Sequence, residues 1–182
     1  MYTQQQRPVI MKYVSKAYVF ALLVTLNMLA LSFPAFAQDV EFAWAAGMGG
    51  TGYDYGYGIA VDASGNVYTT GSFEGTADFD PGAGVSNLTS AGDNDVFVRK
   101  LDASGNFLWA RSMGGTGSDY GYDIAVDASG IVYTTGWFSS TVDFDPGAGT
   151  VNLTSAGARD IFVQKLSPPA LDMPTATCFS FF

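Results

Sequence analysis

Histidine is absent from the 182 residues, and cysteine occurs once, at Cys178. Without an imidazole the chain lacks the commonest general base and the commonest neutral metal ligand, which excludes the Ser-His-Asp and Cys-His forms of nucleophilic catalysis. A lone thiol excludes an intrachain disulfide and a thiolate cluster, so any metal has to be held by oxygen. Charge is also scarce, 14% of residues, and biased, with 8 Lys and Arg against 17 Asp and Glu for a net −9. Arg7, Lys12 and Lys16 are the only charges in residues 1–37, so the remainder carries about −12. Binding a phosphate backbone needs clustered cations, and nucleic acid is excluded as a partner. Divalent cations or basic partners suit this sign better.

What is present begins with an address. Residues 11–16 are short and basic, residues 17–33 are apolar and uncharged, and Ala35-Phe36-Ala37 is the small-x-small pattern that a signal peptidase reads. Residues 1–37 are therefore expected to be a cleaved signal peptide, with a membrane anchor as the competing reading because the apolar run lies at the lower edge of a bilayer span. The expected product is secreted or cell-surface, starts near Gln38, and keeps no membrane span after cleavage.

The block 44–101 is then written again as 109–166, without insertion or deletion and with about three quarters of paired positions identical. A duplicated block offers the same groups twice, whereas a reacting centre needs different groups converging on one atom. Within one copy, 59–62 and 67–71 read as two strands around an Asp-Ala-Ser-Gly turn. Residues 95–101 and 107–113 read as a second hairpin around the same turn, and 73–94 as an unusually long connection. The Gly-rich links 49–56 and 114–121 are read as sharp inter-blade turns and, with the long connection, as candidates for an exposed rim. Four short strands per copy form an antiparallel sheet with two faces to cover, and radial stacking of such sheets makes a β-propeller.

The residues DIAVDASGIVYTTGWF, TVDFDPGAGTVNLTSAG and DIFVQKL, with their counterparts one copy earlier, resemble the bacterial SBBP type of β-propeller repeat. The resemblance covers residues 42–166 and implies an export route and, in larger proteins, seven blades. It brings no catalytic residues with it. The expected fold is all-β, with antiparallel four-stranded blades of a β-propeller, about two blades and an incomplete ring. The repeat region is 38–166, and 167–182 is an aberrant tail where the pattern stops, which suggests a fragment. The alternative to a fragment is a clasp, in which a strand at 42–48 pairs with 160–166 to complete the last blade.

Asp78 and Asp80, repeated as Asp143 and Asp145, sit two apart before a Pro-Gly turn. They are the candidate metal residues, for calcium, against the alternative that each Asp ties a β-turn by accepting backbone N–H groups. Beyond calcium no cofactor is expected. Spacing two apart also meets the reach of a glycosidase pair, but identical pairs in each copy give no reason for one acid and one base, so no residue is assigned a catalytic role. Tyr53, Tyr55, Tyr57, Tyr68, Tyr120, Tyr122 and Tyr133 are either inter-blade packing or a surface for sugar rings or a protein partner. Trp137 replaces Ser72 and marks a place where the copies are not constrained alike. The expected function is an exported, non-catalytic module for binding or scaffolding, with an unknown protein or glycan as partner and self-association to complete a ring. A secreted glycoside hydrolase-like propeller enzyme and a non-functional gene remnant are the alternatives.

Overall fold

The computed structural model describes residues 39–168; the expected signal segment, Cys178 and all but two residues of the tail lie outside the described residues. Residues 39–42 are exposed and irregular, and the repeats lie wholly in a second unit that begins at Ala43. Among the described residues there is no helix. The first blade and the link leading into it contribute β1 (Gly49–Gly50), β2 (Tyr55–Val61), β3 (Val67–Asp78), β4 (Asn87–Leu101) and β5 (Phe107–Gly115), the last of which opens the second copy of the repeat. The second blade contributes β6 (Tyr120–Val126), β7 (Val132–Phe138), β8 (Thr141–Asp143), β9 (Asn152–Thr154) and β10 (Asp160–Leu166).

Strands β2, β3, β4 and β5 pair in that order, all antiparallel, as one complete four-stranded blade. Each Asp-Ala-Ser-Gly turn closes the same way: in the first, the Asp62 carbonyl accepts from Gly65 N (2.9 Å) and the Asp62 carboxylate accepts from Ser64 N and Asn66 N. The second blade has β6, β7 and β10 in order, with β8 and β9 continuing its outer end. The end of β5 crosses over to pair with β8 through Gly114↔Asp143 and Gly115↔Val142, as β1 pairs with β3 through Gly49↔Asp78 and Gly50↔Ala77. One blade is thereby stitched to the next.

Alternation along β4 divides its side chains between two cores. Val96 and Val98 join Tyr68 and Met113 in a cluster that receives Ile124, Phe138 and Phe162 from the second repeat. Phe97 faces the other way and packs with Phe73, Ala77 and Phe79, against which Met48 also rests. The first cluster is the seam between the blades. Each large side chain buried there contributes ~1.5–3 kcal/mol relative to exposure, so the seam holds the two repeats as one body.

Three expectations need correction. The stretch 73–94 is mostly strand, with only 79–86 left as a connection, because β3 and β4 resume their ladder at Thr76↔Thr89 after 90–93 is looped out. The interruption hides the alternation from a sequence pattern. The Gly-rich links are not simply rim: Gly114 and Gly115 belong to a ladder, and Asp119 is fully buried. Finally, no strand forms over 42–48, and the proposed clasp within the chain is not made, since β10 pairs only with β7. Trp44 instead donates through Nε1 to Ala103 O (3.2 Å) on the first blade.

Candidate functional site

A row of aromatic rings follows the first strand of each blade. Tyr53, Tyr55 and Tyr57 stand with near-parallel rings, centroids 6.3 and 6.0 Å apart. The row crosses the seam where Tyr57 meets Tyr122 edge-on at 5.2 Å. Beyond it Tyr120 stacks on Trp137 at 4.6 Å, Trp137 Nε1 donates to Tyr122 OH at 2.7 Å, and the Arg159 guanidinium covers the indole at 4.0 Å.

The aim of these rings is set by the backbone. Both inner strands carry a bulge, between Gly56 and Gly58 and between Gly121 and Asp123, leaving Tyr57 and Tyr122 as the extra residues outside the ladder. A bulge re-aims a side chain. At the same level the inner strand comes so close to its neighbour that a β-carbon on Gly71 would collide with Tyr55 O, and one on Gly136 with Tyr120 O. The Thr-Thr-Gly of each repeat thus makes room for the bend that presents the tyrosines. Tyr53, Tyr55, Tyr57 and Tyr122 are exposed, whereas Tyr68 is in the seam beside Trp109. The Tyr120 hydroxyl is pushed above its ordinary value, first by burial and then by neighbouring tyrosines, so it stays neutral.

The sequence-singled carboxylates are tied into their own loops. Asp78 Oδ1 accepts from Ser86 N (2.8 Å) and Asp80 N (3.0 Å), and Asp80 Oδ1 accepts from Gly82 N (2.8 Å). Asp143 and Asp145 repeat the pattern with Val151 N, Asp145 N and Gly147 N. These backbone donors, Ser86 foremost for Asp78 and Val151 for Asp143, hold both carboxyls below the usual range. Among the described residues no three carboxylates gather into a set that could hold a metal ion. Each Asp pair stays in its own loop.

Two acids that sequence reasoning passed over are raised by burial. Asp95 is pushed up to about 6, by burial first, with Asp119 adding repulsion, and Asp119 is itself raised by burial. Asp95 Oδ2 accepts from Ala91 N, while the Asp119 carboxylate accepts from Gly115 N and Ser139 N. Both are enclosed; Asp119 is occupied by two backbone donors and Asp95 by one, with its Oδ1 left unpaired, so neither is an acid or base open to a substrate. Arg99, on the same strand as Asp95, is buried with Nε and Nη1 unpaired, where the copy has Gln164. Trp137 was the signal that did carry over: the departure from Ser72 lies in the aromatic row.

Residues 44–72 match the β-propeller repeat family SBBP. The chain is also similar to a WD repeat-containing protein of Acanthamoeba polyphaga mimivirus, 28% identical over 167 residues, covering 79% of this chain and 12% of that protein. It is similar to the regulatory protein FlaEY of Caulobacter vibrioides, 30% identical over 133 residues, covering 67% of this chain and 14% of the relative. The chain thus spans about an eighth of the length of these curated relatives.

Proposed function

We propose that this chain, an SBBP-type β-propeller repeat protein, is an exported, non-catalytic binding module that works at the cell surface and takes a glycan chain along its row of exposed tyrosines. One observation carries the reading: the rings of Tyr53, Tyr55 and Tyr57 are evenly spaced, exposed, and joined across the seam to Tyr122 and Trp137. Such rings present an apolar face for the C–H face of a sugar and a hydroxyl tip for its polar edge. The acidic chain discourages polyanions, which favours a neutral glycan. The perturbed acids Asp95 and Asp119 are enclosed, which supports binding over hydrolysis.

The test is a glycan array probed with the wild-type chain and with the double variant Tyr55→Ala, Tyr57→Ala. Binding to neutral glycans that falls at least tenfold in the variant supports the proposal. Binding that is absent in the wild type, or that survives the double substitution, rejects it.

A further inference from the structure

The two blades leave two faces open, and the seam inside the chain shows what each was shaped to meet. On the first blade Val96 and Val98 are wholly buried by the second blade; their counterparts Ile161 and Val163 are 84% and 76% exposed. On the second blade Ile124 is 5% exposed against the first; its counterpart Ile59 is 68% exposed. The trailing face of the second blade is therefore a copy of one half of the seam, and the leading face of the first blade is a copy of the other half.

The backbone repeats the same complementarity. Within the chain β5 completes the first blade by pairing with β4, through Val96↔Met113 to Leu101↔Phe107, before its end crosses to β8. Its counterpart is the segment 44–48 followed by β1. Met48 is already seated on Phe73, Ala77 and Phe79 as Met113 is seated among Phe138, Val142 and Phe144. Trp44 lies in a hollow with Pro81 and Gly82, as Trp109 does with Pro146. Among the described residues, this segment has no strand partner and β10 has none on its outer side. A strand edge and a strand are both offered, and they point out of opposite ends of the molecule's own repeat.

We propose that a second copy of this chain is the occupant: residues 44–48 of one copy add to β10 of another as its fourth strand, in the register Ile161↔Met48, and the open faces close as a second seam. The interface is head-to-tail, so the association closes into a ring when rotation permits. Rings of four to eight blades take about two to four copies of the two described blades. Tyr122, although packed against the first blade, remains as exposed as Tyr57, so Tyr57 stays open in such an assembly, whereas Tyr55 becomes half-buried as its counterpart Tyr120 is. The inference is independent of what the row binds.

The experiment is the solution mass of the full chain, as the cell processes it, by light scattering, beside the double variant Ile161→Asp, Val163→Asp. Both side chains are exposed in the single copy, so the variant keeps its fold, and an unchanged far-UV spectrum verifies that. The expected result is a two- to fourfold multiple for the wild type and a single copy for the variant. In a Cys178→Ser background, Met48→Cys with Ile161→Cys is expected to give covalent multimers under mild oxidation, and Met48→Cys with Val163→Cys, out of register, many fewer. A wild-type chain that is a single copy, a multimer indifferent to the Asp pair, or a disulfide formed within one chain overturns the proposal.

Discussion

A β-carbon placed on Gly114 would collide with the carboxyl group of Asp95. Asp95 needs that space because β5 passes directly over it on the way to β8, and the same approach keeps water from the carboxylate. Gly114→Ala is therefore expected to destabilise the chain by about 1–3 kcal/mol, through displaced backbone at the stitch between blades. Urea unfolding measures it; an unchanged midpoint would show that the stitch is slack.

Burial raises Asp95 to about 6. A carboxyl raised on folding contributes stability that is fully present below the unfolded value near 3.8 and is lost as pH rises through about 6. Asp95→Asn removes this dependence and is expected to raise stability at pH 7 by ~1 kcal/mol after solvent screening is allowed for, with little gain at pH 4. Thermal melts of both proteins across that range decide it.

Asp62 behaves in the opposite sense. Its carboxylate is held down at about 2, first by the side chain of Asn66, then by backbone donors and Tyr68. Its contribution is present above the unfolded value near 3.8 and disappears as pH falls through about 2. The two dependences together place the stability maximum near pH 4, with stability falling as pH rises from there through about 6 and as it drops towards about 2. Asn66→Ile, which copies the second repeat's Ile131, should move the acid-unfolding midpoint to higher pH.

Ser140 holds φ at 61°, where the first repeat has Gly75 at 72°. A side chain in that region costs about 1 kcal/mol, so Ser140→Gly is expected to recover most of it, less the added freedom of glycine in the unfolded chain. A higher melting temperature is the expected readout; a lower one would mean that the serine hydroxyl compensates for the strain.

Because backbone N–H groups already occupy the carboxylates of Asp78, Asp80, Asp143 and Asp145, calcium is expected to add little. Calorimetry on chelator-treated protein should show no calcium heat, and chelator should leave the melt unchanged. Saturable heat abolished by Asp78→Ala with Asp143→Ala would restore the metal reading.

The duplication, the paired hairpins and the Asp-Ala-Ser-Gly turns were legible because each depends on neighbours in the chain: turn residues bond their own backbone, and alternating side chains mark a strand. The outer ladder over 73–94 was not, since four looped-out residues break the period while the pairing itself continues across space. The rings were named from the sequence, yet their division into the buried Tyr68 and the exposed Tyr53, Tyr55 and Tyr57 depends on where a second blade lands. The raised carboxyls of Asp95 and Asp119 were invisible for the same reason. Local chemistry made this an acidic, duplicated, strand-forming chain without histidine. Which copy of each repeated side chain is covered, and which is left facing outward, was decided by the packing of one blade on the other, because burial belongs to pairs of surfaces and two nearly identical segments meet different ones.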